Sequence, residues 1–459
     1  MFEMQIQTYI VAFLTGILLE FLLFSRNEWD RHLRFYVKLR KLHQQHSDFV
    51  RIRPREISIC NPDAIVDVHG PKNNIRKAEW YEQNYPFHTL QHIRVPAHHK
   101  RQRRYWDKAF HTKALQEYTP QLTEHYNIML NTLARHAASG TPIDASAAFM
   151  DLFFDVISHL SFGKSFNTLT NGQRNPILRH FLKRQRAVGY ALLNMWMLHL
   201  IRNLAMPRKK LEDWERWYDN ALEERRKMQT TTPDIYTYLS QSDEFEYNGA
   251  REAKLAVVAG ADTNAITVSN VCNFLCQHGE YQAQLHEELS GLPILNGIID
   301  DQHLIGKPYL TGIINEALRL HPPVPSGLHR LTPPEGAVIA GRFIPGDMVV
   351  TTPTYSLHRD PRAFLQPDEF IPERWSSQPE LILRKDAFLP FGYGAYNCAG
   401  RPLALLQLRM VVAMVCNRFE ISFAPGKEAE CLQFQNQADC FTLHLERLPL
   451  LLKERPNGR

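Results

Sequence analysis

The stretch from Phe391 to Gly400 reads Phe-Gly-Tyr-Gly-Ala-Tyr-Asn-Cys-Ala-Gly and runs directly into the apolar run Arg401-Pro402-Leu403-Ala404-Leu405-Leu406. No other segment restricts the fold as strongly. Glycines at 392, 394 and 400 allow tight turns and let the backbone come close to something large and flat. Cys398 sits where a loop feeds a helix. Free N–H groups and the positive dipole end favour a thiolate there, the form of cysteine that ligates a metal. Taken alone, the loop could equally hold an ordinary buried cysteine ahead of a core helix. Three further stretches decide between the two.

Glu316-Ala317-Leu318-Arg319 places a carboxylate and a guanidinium on one helix face, where they can form a charge-assisted pair. Phe370-Ile371-Pro372-Glu373-Arg374-Trp375 follows and supplies a second guanidinium, Arg374. Ala259-Gly260-Ala261-Asp262-Thr263 lies upstream in a long helical run. Threonine is a poor residue for a helix interior, and its hydroxyl ordinarily bonds back to the preceding turn. Each motif recurs by chance; together and in this order they resemble the cytochrome P450 family of haem-thiolate monooxygenases.

The resemblance implies a mainly α fold with small β-sheets (α+β) and one catalytic domain. It implies heme b (iron protoporphyrin IX) with Cys398 as axial thiolate, a ligand that pushes electron density to the iron and favours O–O cleavage. Thr263 would hydrogen-bond dioxygen, Asp262 would relay protons, and Gly260 would leave space over the iron. Glu316, Arg319 and Arg374 would form a buried structural triad. In the family a Trp-x-x-x-Arg helix serves the haem propionates; aligned on Phe110, those places hold His99 and Arg103. A histidine ring N–H can still donate to a carboxylate. Trp106 is the alternative, but Phe110 four residues on carries no charge. Arg330, past the proline stop that ends the Arg319 helix, is a further propionate candidate. Tyr396 stands where the loop usually has arginine and offers one neutral O–H, leaving more of that work to His99, Arg103 and Arg330. Phe391 is expected to pack on the thiolate side, with Gly392 and Gly400 shaping the loop around the cofactor.

With 459 residues, 44% of them hydrophobic, the chain can bury a large core. Its net charge of +5 is mild and its basic residues are dispersed except at Lys100-Arg101-Gln102-Arg103-Arg104, which argues against nucleic acid. The seven cysteines (60, 272, 276, 398, 416, 431, 440) have no disulfide-framework spacing, as suits a reducing compartment. Cys272 and Cys276, four apart on a helix face, could ligate a metal or simply fill the core.

Ile6–Phe24 is mostly apolar and long enough as a helix for about 28 Å. Glu20 lies near one end, where a carboxylate can reach the interface. Arg26, Arg31, Arg34, Lys38, Arg40 and Lys41 follow it, so the positive-inside rule leaves the rest in the cytoplasm. The expectation is a single-pass endoplasmic-reticulum anchor, residues 1–25, ahead of a catalytic domain at 26–459. A cleaved signal peptide lacks support, because no basic region precedes the run. No proline occurs before Pro54, whereas membrane members of the family carry a proline-rich hinge there.

The pattern predicts a helix over Arg31–His46, strands at Phe49–Arg53 and Ile57–Cys60, and largely helical chain from Lys113 to Ser290. Within the latter, Arg251–His278 is one long helix carrying Asp262 and Thr263. Strands are predicted at Ala337–Ala340 and Met348–Val350, and a hairpin within Phe434–Arg447. No dinucleotide fingerprint follows a strand, so electrons from NADPH would arrive through a partner, NADPH-cytochrome P450 reductase. Lys100, Arg101 and Arg104 would meet its acidic face. Resemblance to filamentous-fungal members implies that O2 and a small apolar organic molecule, a terpenoid, polyketide or alkaloid of secondary metabolism, are the substrates. Desaturation, ring expansion or oxidative coupling by the same oxidant is the alternative chemistry. A haem sensor or scaffold is disfavoured by the Asp262-Thr263 pair.

Overall fold

A 33-residue helix, Phe245–Gln277, forms the axis of the molecule, about 50 Å long at 1.5 Å per residue. It belongs to a computed structural model that describes residues 34–456 apart from 72–73, 83–87, 171–177, 180, 183–184, 186–207 and 231. The anchor expected at Ile6–Phe24 lies outside these residues. The central helix begins six residues before the predicted Arg251. Asn248 and Gly249 are weak helix formers, but both are buried, and the Asn248 side chain is tied to the His88 carbonyl. Tertiary packing overrides propensity there.

Against the central helix lies Ala145–Phe162, apolar on nearly every face and buried almost throughout. The Asp144 carboxylate accepts the Ala147 N–H at 3.3 Å to cap its start. Gly163, in the left-handed region at φ 67°, ends it. The two helices are long and apolar enough to cross a membrane, yet both are mostly buried in the protein. Where they cross, a Cβ on Gly260 would stand 2.9 Å from Ile157 Cγ1. The glycine therefore permits close helix packing at this crossing.

The N-terminal helix runs Phe35–Gln45 among the described residues and leads into strand Phe49–Arg53. That strand edges a five-stranded sheet ordered Phe49–Arg53, Glu56–Ile59, Val349–Thr351, Arg330–Leu331, Arg76–Lys77. Two predicted strands shift by one residue, because pairing rather than hydrophobicity sets their ends: Val349 to Thr351 lie parallel to Glu56 to Ser58. Arg76–Lys77 is a strand that no pattern in the sequence predicts. It pairs antiparallel with Arg330–Leu331, so that Lys77 stands opposite Arg330. The predicted strand near Ala337 is Ala337–Ile339, hairpinned with Arg342–Ile344. The C-terminal hairpin pairs Ala438–Cys440 with Thr442–His444 and turns at Phe441, φ 82°. Helix Arg401–Arg418 enters the core beneath the central helix with Pro402 in its first turn. Helices dominate and small sheets occupy the margins.

Candidate functional site

Glu316, Arg319 and Arg374 are all fully buried. Arg319 grips the Glu316 carboxylate through Nε and Nη2 at 2.9 and 2.7 Å. Arg374 Nε adds 2.8 Å, Trp375 Nε1 2.9 Å and the Ile371 N–H 3.0 Å. Remaining guanidinium N–H groups donate to the carbonyls of 358, 365, 366 and 369. One carboxylate thus joins two distant segments in a fully satisfied network, the condition under which a buried ion pair holds.

That network reaches the cysteine loop through His358, a residue the sequence did not single out. The Leu389 N–H donates to His358 Nε2 at 3.0 Å, so Nδ1 carries the proton and donates to the Arg319 carbonyl at 3.1 Å. Burial pushes this imidazole down to about 3, keeping it neutral. The Leu389 carbonyl accepts the Gly392 N–H at 3.0 Å, and the Phe391 carbonyl accepts the Cys398 N–H at 2.8 Å. Gly394, φ 73°, is demanded by contact as well as conformation, since a Cβ there would stand 1.9 Å from the His69 carbonyl oxygen. A Cβ at Gly400 would meet only the Phe110 ring at 3.9 Å and Cys398 Sγ at 4.0 Å, ordinary contacts.

Counted over the whole residue Cys398 is exposed, yet the surrounding protein desolvates its sulfur. Desolvation raises the thiol above its usual range; the N–H groups of Gly400 and Arg401 and the guanidiniums of Arg103 and Arg401 oppose this and fall short. The helix start therefore favours the thiolate, as expected from sequence, without securing it. Coordination to a metal would deprotonate it.

Beside the loop stand the other predicted residues. Arg103 donates to the Asn397 carbonyl and side chain at 2.8 Å each, and to Asp107 at 2.7 Å, bracing the loop one residue before the cysteine. His99 is buried and edge-on to Tyr396, with centroids 4.7 Å apart. Burial, then the Lys77, Arg103 and Arg330 charges, press its ring down to about 3, so it is a neutral donor. Arg330 is 1% exposed and donates to Tyr81 Oη and the His329 carbonyl, both at 3.1 Å. Among the described residues its Nε–H has no acceptor, and no carboxylate forms an ion pair with it. Trp106, the rejected alternative, is buried against Phe110 at 5.9 Å. A thiol offered by a loop at a helix start, flanked by a buried guanidinium without an anion, fits an iron porphyrin bearing two carboxylates.

On the central helix, Asp262 and Thr263 do not bond to each other. Thr263 Oγ1 donates to the Ala259 carbonyl at 2.8 Å. Asp262, 1% exposed, accepts from Gln185 Nε2 at 2.9 Å and from the Thr442 hydroxyl. Its other oxygen has no partner among the described residues. Burial pushes this carboxyl up to about 7, with the Thr442 and Gln185 hydrogen bonds opposing. Gln185 and Thr442 are the second omission of the sequence reading, for no pattern ties them to residue 262.

Cys272 and Cys276 lie in the core with their thiols pushed well up by burial, and no cluster of three or more metal-binding side chains occurs among the described residues. Lys100, Arg101 and Arg104 are exposed. Arg101 Nη2 reaches Glu244 at 2.5 Å, where His98 Nε2 also bonds at 2.8 Å.

The profile of the cytochrome P450 family matches residues 15–446. The chain is 34% identical over 427 residues to the cytochrome P450 monooxygenase nodW of Hypoxylon pulicicidum, covering 92% of this chain and 78% of that protein. It is 34% identical over 438 residues to the cytochrome P450 monooxygenase orf5 of Eupenicillium brefeldianum, covering 93% and 87%. It is 30% identical to the tryprostatin B 6-hydroxylase of Aspergillus fumigatus, covering 91% and 76%. Agreement over nearly the whole chain, joined to the triad and its loop, settles the family: this protein is a cytochrome P450 monooxygenase, a haem enzyme with a cysteine thiolate ligand that works on O2 and an organic substrate with a redox partner.

Proposed function

We propose that Cys398 is the haem ligand and that the enzyme inserts one oxygen atom of O2 into a small apolar secondary metabolite, with NADPH-derived electrons delivered by NADPH-cytochrome P450 reductase. The observation that carries the ligand assignment is the hydrogen-bonded chain from the buried triad through His358 and Leu389 to the Cys398 backbone. It spends a costly buried network on positioning this one loop. Haem bound here supplies dioxygen activation, with His99, Arg103 and Arg330 toward its propionates and Phe391, Gly392, Tyr396 and Gly400 shaping the loop around it.

The protein's own part in the reaction is to hold and move protons. Asp262, poised near neutrality, can release a proton at one pH and hold it at another, as a general acid requires. Thr442 and Gln185 fix its carboxylate. Rotation of the Thr263 side chain away from the Ala259 carbonyl would free its hydroxyl to donate elsewhere. Lys100, Arg101 and Arg104 are proposed to meet the reductase, and residues 1–25 to anchor the enzyme in the endoplasmic reticulum. A relative named as a hydroxylase favours oxygen insertion over desaturation, ring expansion or coupling.

Two measurements test this reading. Cys398→Ala should abolish the thiolate-type absorption of the reduced carbon monoxide complex, while Cys416→Ala and Cys440→Ala keep it; its survival in the first variant overturns the assignment. Co-expression with a fungal reductase under labelled dioxygen, with candidate intermediates supplied, should give products heavier by one labelled oxygen. Products that lose hydrogen without gaining label would replace insertion by desaturation or coupling.

A further inference from the structure

Lys77 and Arg330 face each other across two antiparallel strands, at 4% and 1% exposure. Like charges directly opposite in a sheet destabilise it, and burial raises the cost because neither ion is solvated. Such a pair persists when something between or beside the ions is negative.

Among the described residues no carboxylate forms an ion pair with either cation. Lys77 Nζ donates to the carbonyls of Leu90 at 3.0 Å and Gln91 at 2.9 Å, leaving its third N–H uncommitted among these contacts. The carboxyl that acts on it, Glu252, is pushed up to about 8 by burial, which favours its neutral form. Burial and then Arg330 draw the ammonium itself down to about 7. Tyr396 sits among these groups: Lys77 Nζ lies 4.9 Å and the Arg330 guanidinium 5.2 Å from its ring centre, with His99 edge-on. The ring offers both cations a π face, a weak substitute for an anion.

We infer that Lys77 is a propionate-binding residue, its ammonium acting with Arg330 and His99 on the haem carboxylates in place of the arginine that Tyr396 replaces in the cysteine loop. The inference rests on haem occupying the Cys398 site. It assigns the carboxylates to a strand absent from every motif in the sequence, and it explains how a loop without its arginine can serve the cofactor. Two carboxylates would neutralise the Lys77–Arg330 pair and accept the idle N–H groups of both.

The test follows haem leaving the holoenzyme for excess apomyoglobin. Lys77→Met should lose haem about tenfold faster or more, the usual weight of a hydrogen bond to a charged group. Lys77→Arg should stay near the wild-type rate, and so should Arg76→Met on the same strand, because Arg76 is exposed. Reconstituted with haem dimethyl ester, whose carboxylates are blocked, wild type and Lys77→Met should lose the cofactor at the same rate. In the Lys77→Met background, Tyr396→Arg should slow the loss again. Equal haem loss from wild type and Lys77→Met overturns the inference, as does a difference that persists undiminished with the dimethyl ester. The thiolate spectrum separates the two readings: Lys77→Met should keep it while loaded, and its absence from wild type would overturn the Cys398 assignment and this inference together.

Discussion

Asp262 and Thr263 are neighbours in the chain whose polar atoms face different partners, and this bears on what each does. Thr263 is back-bonded to its own helix, so its hydroxyl can accept a hydrogen bond as it stands but must leave the Ala259 carbonyl before it can donate one elsewhere. Thr263→Ala should therefore keep haem and substrate binding but waste NADPH, releasing peroxide in place of product. An unchanged ratio of product to NADPH would remove the residue from the relay. For Asp262 the sign of the pH effect follows from burial. Its folded value of about 7 lies above the roughly 3.9 of a free aspartate. Between these values the folded protein binds more protons than the unfolded chain, so this residue lowers stability progressively as pH rises from about 4 to 7. Asp262→Asn should flatten that decline in unfolding midpoints measured across the window. A variant that retains the full decline would place the titration elsewhere.

The triad works at the level of elements, because one carboxylate joins helix Pro308–Leu320 to the segment around Pro372–Trp375 and, through His358, to the cysteine loop. Glu316→Gln removes the negative charge and leaves two buried guanidiniums without it, at a cost of about 3–5 kcal/mol. The expected result is protein that holds haem poorly, with the fraction that does hold it still giving the thiolate spectrum. Full haem content in that variant would show that the loop does not depend on the triad. The members were legible because Glu-x-x-Arg is a local spacing and Arg374 follows in a compact motif. His358 was not, since a lone histidine in sequence carries no sign of bonding a carbonyl at 319 and an N–H at 389. Nor was the packing role of Gly260, which depends on Ile157, a residue on another helix.

At the scale of the whole molecule, the basic run after residue 25 and the apolar segment before it lead to a topology. Ile6–Phe24, outside the described residues, is proposed to span the membrane once. Burial of its apolar side chains outweighs one carboxylate near the helix end, at most about 3 kcal/mol on insertion scales. Protease added to intact microsomes should digest the catalytic domain, and carbonate washing should leave the intact protein in the pellet. Protection from protease, or release by carbonate, would refute this arrangement.

What the sequence determined by itself is whatever depends on neighbours along the chain. The cysteine loop, the Glu316–Arg319 spacing, the long helix under Asp262 and the strands Phe49–Arg53 and Glu56–Ile59 follow from turn chemistry, helical period and alternation over a few residues. Only the tertiary structure decided what lies across from what. The antiparallel register sets Lys77 against Arg330, the C-terminal hairpin brings Thr442 to Asp262, and helix crossing sets Gly260 on Ile157. The reason is physical. Local preferences act through backbone torsion and one-dimensional periodicity, whereas these pairings are chosen by burial and hydrogen bonding between segments up to hundreds of residues apart, where charge and contact leave no trace in the order of residues.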